Sequence, residues 1–263
     1  MDTISNAQTV IKLLWTGGWD STYRLVELSR MDVTVQPIYG CDEKRDSMEI
    51  EKQTMEKILA ALQSHPGTRA HLLPIVYVSL DTIPENPEIT QAYQALKGLT
   101  GLGGQYEWLA RLALVHPGME LGIEKVNHEN FIGCSATIGR FGALKEICGA
   151  TVLDQEHSTR ECALVLGNFR FPIIHITEDK MLANIRAWGY EDIMAMIWFC
   201  HRPIHGKPCG MCRPCQQKME GRMEFLLPPE GRRRYAVHRR IRATLGEGTG
   251  DFLAKVIYKL TNS

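Results

Sequence analysis

Trp15-Thr16-Gly17-Gly18-Trp19-Asp20-Ser21-Thr22 follows the apolar run 11–14 and leads into a segment, 22–30, that reads as a helix. A strand that breaks at two glycines and re-enters a helix at Asp/Ser has the layout of a phosphate cradle. Glycine lets backbone N–H groups approach an anion closely. The helix N-terminus adds a favourable dipole, and the Ser21 and Thr22 hydroxyls can donate further bonds. Asp20 suits the metal that accompanies a nucleotide. The simpler reading of the same residues is a strand-to-helix turn with Asp20 or Ser21 as N-cap. The stretch is not a Walker A loop, because no Gly-Lys-Ser/Thr follows.

Working outward, the 263 residues can bury one substantial core plus a small appendage. With 44% hydrophobic and 23% charged residues, the composition is that of a globular protein rather than a disordered one. Thirty basic and thirty acidic residues cancel, so bulk charge makes no case for a nucleic-acid partner. The polar first ten residues lack the layout of a signal peptide, and no run is long enough to span a bilayer. A cytoplasmic protein without a membrane partner is expected.

The chain predicts a strand at 11–15, a short helix, a second strand at 33–39 and an amphipathic helix at 47–62. A third strand at 71–80 follows. Alternating strands and helices indicate an α/β fold with a doubly wound parallel sheet. Residues 81–103, with Pro84 and Pro87, read as an extended excursion, and a helix is expected from Gly104 to about Val115. Residues 130–134 give a weak strand, 141–147 a helix and 169–176 the last strand. Thr177 then N-caps a helix whose first turn holds Lys180. A lysine there opposes the helix dipole, which suggests another task. A helix at 191–199 leads to the cysteines. The expected division is a nucleotide-binding α/β domain at 1–190 and a C-terminal zinc-binding lobe with a basic tail at 191–263.

Of eight cysteines, Cys200, Cys209, Cys212 and Cys215 are clustered. Two successive C-x2-C steps put three thiolates on one tight knuckle, and Cys200 closes a tetrahedron from the other side. Four thiolates form a closed structural zinc shell, although they also suit an iron–sulfur cluster. Without a signal peptide, clustered cysteines favour metal over disulfides.

The glycine loop resembles the Ser-Gly-Gly-x-Asp-Ser/Thr loop of the PP-loop ATP pyrophosphatases, with Thr16 at the serine. Together with C-x8-C-x2-C-x2-C, it makes the chain similar to the 7-cyano-7-deazaguanine synthase family over residues 11–219. Lys207-Pro208-Cys209-Gly210-Met211-Cys212 and Trp198-Phe199-Cys200 carry that likeness at the C-terminal end. The resemblance implies an ATP-dependent ligase that adenylates the carboxylate of 7-carboxy-7-deazaguanine and releases pyrophosphate. Ammonia then gives the amide, and a second activation gives the nitrile. It implies ATP, Mg²⁺ and Zn²⁺ as cofactors. Thr16, Gly17, Gly18, Trp19, Asp20, Ser21 and Thr22 would hold the pyrophosphate, with Asp20, Ser21 and Lys180 in catalytic roles. Tyr39 and Gly40 would lie near the adenine.

The acceptor region departs from the family. Residues 134–145 contain no aspartate where the family has a deazapurine-recognising stretch, Gln105 replaces an arginine, and Phe199 replaces a small polar residue. Six arginines fall between Arg232 and Arg242. They suit first a solvated helix face or a homodimer contact, and second a grip on a polyanion or an acidic protein partner. Four readings follow: a nitrile synthase, a related ligase of bacterial antiviral systems that joins the activated deazapurine to a protein amine, a tRNA-thiolating enzyme, which normally wants redox cysteines where these are committed to metal, and a non-catalytic nucleotide-binding subunit.

Overall fold

A computed structural model describes residues 10–125, 132–221 and 223–262. The first half alternates as expected: β1 (Val10–Leu14), α1 (Trp19–Ser29), β2 (Thr34–Cys41), α2 (Met48–Ser64), then β3 (His71–Leu72) and β4 (Val76–Ser79). Residues 73–75, centred on Pro74, divide the expected third strand in two. β3 and β4 pair successive stretches of β2.

Residues 81–103 are not an extended excursion. They contain α3 (Pro87–Thr100), which runs up to α4 (Gln105–Val115). The proline that reads as a breaker occupies the first helical turn, where its missing N–H costs nothing. Asn86 caps it by accepting from the Ile89 amide at 3.1 Å, and Gly101 closes it at φ 64°. Ile89, Ala92, Tyr93 and Leu96 give α3 its buried face.

The fourth parallel strand, β5 (Met119–Glu120), is only two residues long. Cys134 opens α5 (Cys134–Phe141) instead of ending a strand; residues 130 and 131 of that expected strand lie outside the described residues. The helix expected at 141–147 is replaced by the hairpin β6 (Leu144–Ile147) and β7 (Ala150–Leu153), turned by Cys148 and Gly149 at positive φ. After α6 (Arg160–Leu166), β8 (Phe169–Arg170) is the regular part of the expected last strand, and residues 172–175 form turns. α7 (Glu178–Trp188) has the predicted Thr177 cap, and α8 (Glu191–Met194) stops short of Phe199. α9 (Arg213–Glu220), α10 (Pro229–Leu245) and α11 (Glu247–Asn262) follow the cysteines.

The strands form one sheet in the order β3-β2-β1-β5-β8-β7-β6, parallel except for the β6–β7 hairpin at one edge. One apolar cluster packs α3 to α6 on one face, and a second packs α1, α2, α7 and α8 on the other. A third and smaller cluster gathers the four cysteines with Trp198, Ile204, Met211 and Leu227. Among the described residues, no helix is long and apolar enough to cross a membrane.

The chain leaves β1 toward β2 on one side, while β5 lies on the other. The crevice at the carboxyl ends of β1 and β5 is therefore the switch point where open α/β sheets bind ligands. The glycine loop begins there.

Candidate active site and metal centre

The loop is braced from within. The Trp15 indole donates to Thr22 Oγ1 at 3.0 Å, and the Thr16 amide donates to Ser21 Oγ at 3.3 Å. Thr16 Oγ1 lies 3.3 Å from the same Ser21 oxygen, so the threonine keeps the hydroxyl contact that a serine would make. Gly17 has φ 69°, and a Cβ there would stand 2.9 Å from Met55 Cγ; both the conformation and the space demand glycine. Gly18 is the N-cap of α1. The first-turn amides of that helix have no acceptor within it and face the crevice end, as an anion site requires.

Sequence reading missed the groups that surround Asp20. Beyond β5, Leu121 and Lys125 donate their amides to Arg170 and Ile176, which carries this segment alongside the chain after β8. Gly122 comes so close to α1 that a Cβ on it would lie 3.1 Å from the Ser21 nitrogen. Glu124 then joins Asp20, Glu178 at the start of α7, and Lys218 from α9. Lys218 binds Glu178 Oε1 at 2.6 Å and lies 5.3 Å from the centre of the Trp19 ring. Burial pushes the Asp20 carboxyl up to about 6; Lys218 opposes the rise and Glu178 adds to it. Burial, then Asp20 and Glu178, push Glu124 up to about 8 against the pull of Lys218.

Two buried polar atoms here have no hydrogen-bond partner among the described residues, Glu124 Oε2 and Trp19 Nε1. Buried groups are rarely left so unless something else binds them. The oxygen donors suit a hard divalent cation such as Mg²⁺, which would be held by Asp20 and Glu124. The Trp19 N–H suits an anionic acceptor.

The other expected residues are placed differently. Lys180 is exposed on the first turn of α7, two residues beyond Glu178, and its side chain forms no ion pair among the described residues. Tyr39 is 1% exposed, and its hydroxyl donates to Glu51 Oε2 at 2.6 Å, so its ring belongs to the core. Gly40 offers main chain only: the six-membered edge of Trp108 lies 2.6 Å from where its Cβ would be.

The four clustered cysteines converge as the spacing requires. Their sulfurs all lie within 4.8 Å of one another, and all four side chains are buried. Cys209 and Cys215 sulfurs are 3.9 Å apart, and those of Cys212 and Cys200 are 3.8 Å apart. A tetrahedron with Zn–S bonds of about 2.3 Å has edges of about 3.8 Å. The sulfurs thus match one metal ion, where a multi-iron cluster would spread them wider. Amides of Met211 and Cys212 donate to Cys209 Sγ at 3.3 and 3.2 Å, and the Cys209 amide donates to Cys200 Sγ at 3.2 Å. The facing thiols share their protons unequally, holding Cys209 below the ordinary thiol range and raising Cys200 and Cys215 above it. Gly210, at φ 81°, packs directly against the Gly231 carbonyl, leaving no room for a side chain.

This centre is tied to the loop. The Trp198 amide donates to the Gly17 carbonyl at 2.9 Å, and its indole donates to the Cys200 carbonyl at 2.8 Å. Comparison with protein-family models, curated proteins and solved structures gave no match, so the functional reading rests on this geometry and on the two motifs.

Proposed function

We propose that this chain is an ATP-dependent, carbon–nitrogen bond-forming ligase of the PP-loop type. In this reading it adenylates a deazapurine carboxylate resembling 7-carboxy-7-deazaguanine. The observation that carries it is the meeting of the glycine loop with Asp20, Glu124 and Lys218 at the sheet's switch point. Such a site places backbone donors, a cation-binding carboxylate pair and a lysine around one anion.

The loop amides and the Ser21 hydroxyl would bind the β- and γ-phosphates. Mg²⁺ on Asp20 and Glu124 supplies charge neutralisation when bound. Lys218 would give the same help from the cysteine lobe, with Lys180 on α7 two residues beyond its partner Glu178. The Gly40 main chain and the Trp108 ring offer a flat wall for adenine. The substrate carboxylate oxygen attacks the α-phosphorus, and the bond to the β-phosphate oxygen breaks as pyrophosphate leaves. The ammonia lone pair then attacks the acyl carbon and AMP departs, giving the amide; repeating the activation on the amide oxygen leads to the nitrile. The four cysteines would hold Zn²⁺ in a structural role, because a closed four-thiolate shell leaves no open position.

A second reading keeps the adenylation and replaces ammonia with a protein amine. It is favoured by the acceptor region, where residues 134–145 form α5 and the start of β6 without an aspartate. One experiment separates the readings: incubate the protein with ATP, Mg²⁺ and 7-carboxy-7-deazaguanine, with and without ammonia, and weigh the products. Pyrophosphate with amide or nitrile supports the first, and a deazapurine adduct on a protein supports the second. No pyrophosphate under any condition sinks both and leaves a non-catalytic nucleotide-binding subunit.

A further inference from the structure

A second polar centre adjoins the cysteine knuckle beside Met211 and Cys212. Two adjoining cavities, of about 360 and about 300 Å³, open between α9, α10 and α11. Arg213, Gln216 and Arg242 line both and form their common wall. Arg202 and Lys255 complete the first cavity, and Arg239 the second. Among the described residues, Glu220 is the one carboxylate on either lining. No residue of the glycine loop reaches them.

The wall is built rather than incidental. Gln216 is 5% exposed; its Nε2 donates to the Met211 carbonyl at 2.6 Å, and its Oε1 accepts from Arg242 Nη1. The buried amide thus fixes the orientation of the Arg242 guanidinium. Among the described residues, Arg202, Arg213, Arg239 and Lys255 form no ion pair with a carboxylate. The chain as a whole is neutral, so this density of positive charge is local. These four cations around joined cavities repel one another, and an anion between them relieves that. Guanidinium forks match phosphate oxygens in pairs.

We infer that these cavities bind a small phosphorylated ligand, with its phosphates on Arg213 and Arg242. Their volumes fall in the range of small-molecule sites. An extended nucleic acid fits less well. Among the described residues, the rings on the linings are Tyr235, 9% exposed, His238, 3% exposed, and a single exposed imidazole, His201, so the walls offer no row of open rings on which successive bases could stack.

The test uses the full-length, zinc-loaded protein titrated with inorganic tripolyphosphate, followed by hydrogen–deuterium exchange. Saturable protection is expected in peptides covering 213–220 and 229–245, read separately from peptides covering the glycine loop. Arg213→Gln with Arg239→Gln should weaken that protection about tenfold or more at unchanged zinc content. Arg239→Gln alone, on the cavity lining that holds no cysteine, should weaken it in the same direction and serves if the double variant loses metal. ADP and vesicles containing phosphatidylinositol bisphosphate distinguish a soluble phosphate from a lipid headgroup; protection by either supports the site. Absence of protection in these peptides, equal protection in both variants, or protection by a long oligonucleotide alone would overturn the inference.

Discussion

The glycine loop and the cysteine knuckle are both tight turns built around charge, yet their inner surfaces differ. In the knuckle, each sulfur faces three others at metal-binding spacing, and backbone amides complete the shell. In the crevice beside the loop, Glu124 Oε2 and Trp19 Nε1 are buried without partners, and two carboxyls are pushed up to about 6 and about 8. A closed shell holds a structure together, while an incompletely satisfied one awaits a ligand. The bonds from Trp198 to Gly17 and to Cys200 make the knuckle the support of the loop.

The largest effect should come from breaking the support. Cys212→Ala should release the metal and unfold the C-terminal lobe, since zinc sites of this kind contribute about 10–16 kcal/mol of apparent binding energy in small peptides. Metal content and thermal unfolding check this; a variant that loses metal yet keeps its melting temperature would contradict a structural role. The opposite pattern is expected across the bridge. Asp20→Ala and Ser21→Ala should lower pyrophosphate release by about 100-fold or more, with metal content and melting temperature kept. The two lysines then sharpen the comparison. Lys218→Ala should cost about tenfold or more, the scale of one charge-assisted bond, whereas exposed Lys180→Ala should cost much less. A reversed order in pyrophosphate release would return the phosphate role to α7.

The smallest effect is a pH dependence of stability. Glu124 has an ordinary value of 4.5 and is raised to about 8, so between those values the folded state holds a proton that the unfolded chain has lost. Stability therefore falls as pH rises through this window. Glu124→Gln should match the parent at about pH 4 and melt higher above pH 8, by roughly 2–4 °C for each kcal/mol of the penalty removed. Mg²⁺ should raise the parent's melting temperature at high pH and leave the variant's unchanged. Thermal scans across pH, with and without Mg²⁺, check both.

What the sequence makes legible follows from how local the signals are. β1, α1, β2 and α2 carry their own periodicity, and the cysteine knuckle carries its own spacing. α3 was hidden because Pro87 reads as a breaker until its N1 position is seen, although Asn86 and the Ile89–Tyr93–Leu96 face were in view. β5 and β8 are two residues each, too short for any pattern, and the hairpin at 144–153 has exposed, mixed faces. Glu124, Glu178 and Lys218 meet Asp20 only through tertiary packing. Lys218 stands three residues after Cys215, but nothing local says that α9 delivers it to Trp19.

Isotope exchange between labelled pyrophosphate and ATP tests the central claim most directly, because it reports reversible adenylation regardless of the acceptor. With Mg²⁺ and 7-carboxy-7-deazaguanine, the zinc-loaded protein should exchange label into ATP, and Asp20→Ala should abolish the exchange. Fully metallated, folded protein that shows no carboxylate-dependent exchange would contradict an adenylating site at the glycine loop.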